Sequence, residues 1–374
     1  MMPRGLDAQI EAMLRRYRFD EDLFESLRAR VRRGELSKKS NALGDEILPP
    51  RADDVARLPE PGSPEHDAAH RKGLEALTRG QVAAAFLNGG MATRFGGVVK
   101  GIVEAVDGRS FLEWKLSELA TIAQRTGADP PLLIMNSFAT DEATRRFLGN
   151  LVAKDASLPS PAFFDQFLSL RLDQEGNPFL DANGAHSPYA PGHGDFSIAL
   201  RASGELARLR AAGVKLITLS NIDNLGARLD PTVLGMHIEG GCPMTVEVVH
   251  RSKADTGGAP ARVGGRLMLV EGFRFPPEFA PATISVFNTN SFVFDLDALD
   301  AEFPLTWFYV EKTVDGKKAI QLERLVGELS SFCPTQYLEV PRSGPRGRFF
   351  PIKTPEDLEA TRPALREMLA TPVL

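Results

Sequence analysis

An α/β protein with a mostly parallel sheet covered by helices is what this sequence predicts, and three observations carry that expectation. From Gln81 onward, short apolar runs alternate with segments of helical periodicity, the pattern of repeated strand–helix units. The first run, Val82 to Leu87, feeds directly into LNGGMATRFGGVVK at 87–100, a glycine-dense turn of the kind that follows a strand in such units. Hydrophobic content of 43% and charged content of 25% are ordinary for a globular chain, so disorder and fibrous repeats are excluded.

The elements follow in order. Residues 7 to 34 place Ile10, Met13, Leu14 and Tyr17 at helical spacing among charges, which gives one or two amphipathic helices, with the arginines between 28 and 33 as a solvated face. The polar, proline-bearing stretch 48–64 reads as a linker or draped loop. Then come a strand at 82–88, a helix at 110–125, a strand at 131–136, helices at 141–152 and 197–211, and a strand at 214–220. Ser110 with Glu113 has the spacing of a capping box, which marks the start of the first of these helices. Runs at 243–250, 266–271 and 284–295 read as strands of a mixed sheet, and 355–369 as the last helix. No internal repeat is visible. The expected organisation is an N-terminal helical segment with linker (1–75), a main domain (76–340) and a C-terminal segment (341–374).

The 374 residues carry a net charge of -5, which argues against a general nucleic-acid or membrane-surface binder. Local cations still permit a small anionic ligand. Two cysteines, Cys242 and Cys333, are too few and too far apart for a disulfide framework or a structural zinc site, so a soluble protein of the reducing cytoplasm is expected. The first residues show no apolar core of a signal peptide, and nowhere do about eighteen apolar residues run together.

In an open α/β sheet, ligands gather at the carboxyl ends of the strands. The turn at 87–100 suits a polyphosphate: Gly89, Gly90, Gly96 and Gly97 allow positive φ and close backbone approach, while Arg94 and Lys100 supply positive charge. Neither GxxxxGK[ST] nor a GxGxxG opening a helix is present, so kinase and dehydrogenase readings lose ground. A second strand end, Leu132 to Met135, leads into Asn136-Ser137-Phe138, and a third, Val214 to Leu219, leads into SNIDNLG. Asp223 in that segment could hold Mg²⁺, which takes few carboxylates beside phosphate oxygens, or could with Asn224 simply make a turn or cap. Pro191-Gly192-His193-Gly194-Asp195 is either a turn or a ligand contact. His66 and His70 stand at i, i+4 without a third ligand, which suggests a solvent-facing pair. No Ser/His/Asp arrangement or activated cysteine is legible.

Taken in order, these segments resemble the UDP-sugar pyrophosphorylase family, especially its eukaryotic-type UTP:glucose-1-phosphate uridylyltransferase branch. LNGGMATRFG is similar to the family's LNGGLGTxMG, IMNSF to LMNSF, PGHGD to PPGHGD, SNIDNLGA to SNSDNLGA, VFNTNSF to FNTNNLW and RGRFFPIK to SRFLPVK. Such an ordered set, spread over residues 81 to 355, is specific where a single motif is not.

The resemblance implies a Rossmann-like nucleotidyltransferase (GT-A-like) fold and a Mg²⁺-dependent reaction of UTP with a sugar 1-phosphate. It also implies roles. Leu87, Asn88, Gly89 and Gly90 would meet the uridine, Gln166 in FFDQF would read uracil, and Gly194 would lie beside the nucleotide. His193, Asn224, Asn288 and Asn290 would contact the sugar, Asp223 would coordinate Mg²⁺, and Arg94, Lys100 and Lys353 would serve the reacting phosphates. A sugar 1-phosphate already carries an anionic oxygen, so it needs alignment and charge neutralisation rather than a general base.

Some positions depart from the family. Ala92 stands for a loop glycine, Val99 for a proline, and the Gly96-to-Lys100 spacing is one residue short. In SKADTGG a family lysine is missing, which would shift a phosphate contact to Arg251 or Lys253. Little chain follows Lys353, so a C-terminal β-helix is not expected. Two rivals are carried forward: UDP-N-acetylglucosamine pyrophosphorylase, whose GNGG is unlike GHGD at 192–195, and a non-catalytic sugar-nucleotide sensor. Which hexose is accepted, and the oligomeric state, are not legible.

Overall fold

In the computed structural model, which describes residues 8–92 and 97–374, the run Val82–Leu87 is an inner strand with all six residues buried. A strand covered on both faces needs apolar side chains at every position, which is why the run is continuous rather than alternating. Ala83, Ala85 and Leu87 enter one core with Leu133, Phe164, Phe196 and Ile217. Val82, Ala84 and Phe86 enter a second with Phe111, Leu116, Ile134 and Leu234.

Numbered along the chain, the strands of the central sheet are β1 (Val55–Arg57), β2 (Val82–Leu87), β3 (Leu132–Asn136), β4 (Ala162–Asp165), β5 (Leu216–Asn221), β6 (Met244–His250), β7 (Val286–Asp295) and β8 (Thr335–Glu339). Their order in space is β1-β8-β6-β7-β5-β2-β3-β4. Only β7 runs antiparallel to its neighbours, so the sheet is mixed and mostly parallel, as expected. The helices are α1 (Ala8–Arg16), α2 (Glu21–Arg32), α3 (Pro64–Thr78), α4 (Phe111–Thr126), α5 (Asp141–Lys154), α6 (Phe196–Ala202), α7 (Glu205–Ala211), α8 (Pro231–Gly240) and α9 (Pro355–Leu369). Ser110 and Glu113 do form the capping box of α4, each side chain bonding the other's backbone N–H.

Register is what makes a site. Leu87 lies opposite Asn221 on one side and Met135 on the other, and Asn136 lies opposite Asp165, so the carboxyl ends of β5, β2, β3 and β4 finish level. The chain leaves β2 toward β3 on one side and returns at β5 on the other, which opens a crevice between diverging loops.

Several expectations are corrected. The helix at 197–211 is broken into α6 and α7 at Ser203-Gly204, where Gly204 adopts φ +83°, a region that costs glycine little. The run at 266–271 does not join the central sheet; Arg266–Val270 pairs with Ala259–Val263, which in turn pairs with Ile47–Leu48. The 48–64 stretch contributes edge strand β1 beside β8. Its neighbour α3 was unanticipated. It crosses α8 so closely that a Cβ on Gly73 would lie 1.9 Å from Pro231 O and one on Gly235 would lie 1.8 Å from Ala69 O. His66 and His70 are half-buried beside this packing and line an open pocket, with their rings 5.7 Å apart and His66 Nε2 3.4 Å from Thr232 Oγ1. Arg28 and Arg32 are not merely solvated, since they donate to Gly176 O (3.0 Å) and Asn177 Oδ1 (2.7 Å).

The helices of residues 8–78 pack in two places. Leu14, Tyr17, Phe24 and Leu27 from α1, α2 and their junction share a third core with Leu168, Leu170, Ile320 and Leu322, while α3 belongs to α8. Among the described residues no helix is long and apolar enough to cross a membrane.

Candidate functional site

A cleft of about 370 Å³ opens where β2, β3 and β5 end. Leu87 to Gly90 line it together with Lys100, Met135, Gln166, Gly192, His193, Asn221, Asp223 and Glu323. Segments far apart in sequence, including the glycine turn, FFDQF, PGHGD and SNIDNLGA, are thus brought to one place. Arg94 falls outside the described residues.

The turn after β2 is anchored from below. Asn88 Nδ2 donates to Asn136 Oδ1 (2.9 Å) and Thr144 Oγ1 (2.8 Å), and Ser137 Oγ donates to Gly89 O (2.6 Å). Of the glycines expected to use positive φ, Gly97 does so, at +79°, Gly89 and Gly90 do not, and Gly96 falls outside the described residues. Gly89 must lack a side chain because a Cβ there would lie 1.8 Å from Gln166 Oε1. Met91-Ala92 then pairs antiparallel with Val98-Val99, so the chain doubles back and delivers Lys100 to the cleft. The Lys100 ammonium donates to the Asp223 carboxylate and to Ile352 O. The short spacing therefore does not keep this lysine from the site.

PGHGD is clasped by the chain at Arg324. Gly192, at φ +97°, and Gly194 press so closely on Arg324 that a Cβ on either would lie 2.4 Å from its backbone. Arg324 N donates to Pro191 O (2.7 Å), Gly194 N donates to Arg324 O (2.9 Å), and the Arg324 guanidinium pairs with the fully buried Asp195. Burial raises the Asp195 pKa, against the pull of that guanidinium. Gln166 Nε2 donates to Gly192 O (2.7 Å), which locks the amide with Oε1 toward Gly89. His193 Nδ1 accepts from Val326 N (3.1 Å), so the ring proton belongs on Nε2. Burial lowers this imidazole's pKa to about 4 and keeps it neutral.

At the end of β5, Asn221 Oδ1 accepts from Asn290 Nδ2 (3.0 Å). Asn290 holds φ +59° in an irregularity of the β6–β7 pairing, an uncommon conformation maintained beside Asn221, although neither Asn288 nor Asn290 lines the cleft. Asn288 Oδ1 accepts from Asn290 N (3.0 Å) and thereby supports it. Asn224 requires correction as a sugar contact. It is buried, and its amide is committed to backbone, donating to Arg348 O (3.0 Å) and accepting from Phe350 N (3.2 Å). Lys353 has an exposed side chain next to the Ile352 carbonyl that Lys100 holds, and it is not among the lining residues. Arg251 donates to Ile284 O (3.0 Å) and lies 5.3 Å over the Phe287 ring, and neither it nor Lys253 lines the cleft.

Two polar side chains of the lining, Asn221 and Glu323, have no role in the sequence-based expectation. Asn221 stood within a quoted motif, at the last position of a strand, and its location was the available signal. Glu323 arrives on the hairpin Phe308–Val314 with Lys317–Glu323, where nothing local distinguishes it. Among the described residues, no group of three or more His, Cys, Asp or Glu side chains is placed to hold a metal by itself.

With this geometry in hand, comparison with known proteins gives a consistent result. The family model described as UTP–glucose-1-phosphate uridylyltransferase matches residues 22–368. A probable UTP–glucose-1-phosphate uridylyltransferase of Schizosaccharomyces pombe is 32% identical over 298 residues, covering 74% of this chain and 58% of the relative. The Saccharomyces cerevisiae enzyme of that name is 29% identical over 347 residues, covering 87% and 66%. The chain thus spans roughly three-fifths to two-thirds of the length of these relatives. Among solved structures, the UDP-glucose phosphorylase of Trypanosoma brucei superposes with a TM-score of 0.74 at 27% identity, covering 91% of this chain and 74% of that one. A Leishmania major UDP-glucose pyrophosphorylase mutant in complex with UDP-glucose gives 0.72 at 26%, covering 96% and 80%.

Proposed function

Because the chain belongs to the UTP–glucose-1-phosphate uridylyltransferase family, we propose that it makes UDP-glucose and pyrophosphate from UTP and glucose 1-phosphate. One observation carries the reading: the glycine turn, Gln166, neutral His193 and the Lys100–Asp223 pair line a single cleft at the carboxyl ends of the strands. Leu87 to Gly90 would hold the uridine, and Gln166 Oε1 would accept the N3–H of uracil. Gly194, through its bond to Arg324, would keep PGHGD at the nucleotide. His193 would donate its Nε2–H to the sugar phosphate or hexose, and Asn290, supported by Asn288, would reach the hexose.

Nucleotidyltransferases of this family generally need a divalent metal, and we assign Mg²⁺ with Asp223 as its protein ligand. The fit is chemical. Mg²⁺ takes one or two carboxylates beside phosphate oxygens, and Asp223 presents one carboxylate at the cleft, already facing a cation in Lys100. When bound, the ion would neutralise charge on the triphosphate and orient it.

The reaction is an in-line displacement. An anionic oxygen of glucose 1-phosphate forms the new bond at the UTP α-phosphorus while the bond to the β-phosphate bridging oxygen breaks, and pyrophosphate leaves with that electron pair. No proton need be removed from the nucleophile. What the chain supplies is alignment and positive charge against two polyanions: turn amides, Lys100 once it turns from Asp223, and Arg94 and Lys353, which we assign to the phosphates. Cys242 and Cys333 are free thiols, which suits a reducing compartment, and we place the reaction in the cytoplasm.

Pyrophosphate release measured with UTP and a panel of sugar 1-phosphates tests the proposal. Glucose 1-phosphate is expected to turn over fastest. Preference for N-acetylglucosamine 1-phosphate would move the chain to the other enzymatic branch. UDP-sugar binding without turnover of any sugar phosphate would make it a sensor.

A further inference from the structure

The nucleotide turn hangs from a directed chain of hydrogen bonds that starts outside the cleft. Asp141, the first residue of α5, is fully buried, and its Oδ1 accepts from Asn136 Nδ2 (3.1 Å). Asn136 Oδ1 in turn accepts from Asn88 Nδ2 (2.9 Å). A carboxylate can only accept, so it dictates which end of the Asn136 amide faces it, and Asn136, together with Thr144 Oγ1, whose own proton goes to Thr140 O (2.7 Å), sets the orientation of Asn88. That orientation leaves Asn88 Oδ1 buried without a hydrogen-bond partner, which an amide free to choose would avoid. The same turn reaches the rest of the uridine side: Asn136 O accepts from Gln166 N (2.8 Å) and Ser137 Oγ donates to Gly89 O (2.6 Å).

The head of this chain is held by the N-terminal helix. Arg16, at the end of α1, donates to Asp141 Oδ2 (2.8 Å), and Arg145 donates to Oδ1 (2.6 Å). Two further contacts tie α1 to the same elements: Tyr17 O accepts from Leu168 N (3.1 Å), two residues beyond Gln166, and the Tyr17 ring meets Phe138 edge-on at 6.4 Å.

We propose that Asp141 is a positioning residue for the nucleotide, acting through Asn136 on Asn88, and that Arg16 makes α1 a brace on the UTP-binding turn. This deepens the reading given under Proposed function and rests on it. Because the chain of bonds reaches the uridine side of the cleft, its loss should weaken UTP and spare the sugar phosphate.

The test uses the full chain, with UTP affinity by calorimetry and separate KM values for both substrates. In Asp141→Asn one of the two accepting oxygens becomes an NH₂, so the donors Arg16, Arg145 and Asn136 can no longer all be satisfied and the imposed polarity weakens. UTP Kd and KM are expected to rise about threefold to tenfold, the size of effects transmitted through one intervening residue. Arg16→Ala removes a side chain that is 63% exposed, so folding should survive; a rise of about twofold to threefold is expected, with Arg16→Lys restoring most of it. In each variant kcat and the KM for glucose 1-phosphate should stay within about twofold. Unchanged UTP affinity in folded Arg16→Ala and Asp141→Asn would overturn the proposal. So would a parallel loss in both KM values and kcat together with a lower Tm, which marks general loosening. Should Asp141→Asn fail to fold, Arg16→Ala decides. If the unmutated chain binds UTP but does not turn over, the catalytic reading fails while the affinities still judge the brace; if it does not bind UTP, both fall.

Discussion

Lys100 and Asp223 meet as an ion pair in the cleft although one arrives on the hairpin after β2 and the other just beyond β5. The carboxylate assigned to the metal is therefore also the resting partner of the lysine assigned to phosphate. Each cation has reason to displace the other, and an incoming nucleotide with its metal should release the ammonium toward the triphosphate. Asp223→Ala and Lys100→Ala are both expected to lower kcat by about a hundredfold or more, as loss of a charge-stabilising group does. Near-normal turnover of either variant at saturating Mg²⁺ would remove it from the chemistry.

Gly89 and Gln166 make a second, purely steric prediction. A Cβ at 89 would lie 1.8 Å from Gln166 Oε1, which is itself fixed by the bond from Gln166 Nε2 to Gly192 O, so the amide has nowhere easy to go. Gly89→Ala should therefore displace the glutamine by an ångström or so and reduce kcat/KM for UTP roughly a hundredfold. The contact itself is tested by a double variant: if the clash with the glutamine is the cause, Gly89→Ala should add little to the loss already caused by Gln166→Ala. Losses that simply add would point to backbone conformation instead of the Gln166 contact.

Much of this was legible because it is local. The six-residue run of β2 announces a strand covered on both faces, and Ser110 with Glu113 announces the start of α4. What was not legible depends on partners distant in sequence. A glycine within α3 argues against a helix until it is seen to be what lets α8 approach. Asn224 looks like a ligand contact in SNIDNLG because nothing nearby shows that its amide is taken up by the backbone of Arg348 and Phe350. Asp195 and Arg324, which shape PGHGD, are 129 residues apart.

His193 should be silent where a histidine is usually titrating. Its Nδ1 accepts a backbone N–H and burial holds its pKa at about 4, below the ordinary 6.5, so Nε2–H is a neutral donor throughout the physiological range. The sign follows from the direction of the shift. The folded state resists the protonation that the unfolded chain accepts, so this contribution to stability is complete above about pH 6.5 and is lost as pH falls through about 4. An NMR titration should find the His193 ring uncharged at pH 5.5, and urea unfolding should show part of the acid-side loss of stability disappear in His193→Gln. A ring titrating near 6.5 would show that burial does not hold it neutral.

A buried ion pair also supports the site. Arg348 and Glu247 are 4% and 3% exposed and pair through two contacts, Nε to Oε2 at 2.5 Å and Nη2 to Oε1 at 2.7 Å, while Nη2 also donates to Arg228 O (2.9 Å). Burial works to lower the arginine's pKa, but Glu247 outweighs it and the guanidinium stays charged, well above its ordinary value. The pair thus joins β6 to the segment after β8 that carries Ile352 and Lys353, and to the loop leaving Asp223. Removing one partner strands the other without solvent, so Glu247→Ala should cost about 3–5 kcal/mol in urea unfolding. Replacing both, as in Glu247→Met with Arg348→Met, should cost less than the sum, because neither member of the pair is left buried without the other. If the double variant recovers stability but not turnover, the pair matters for holding Lys353 and Asp223 in place; if the single variant loses less than about 1 kcal/mol, water must reach Arg348 and the pair is not the buried clamp that its exposure implies.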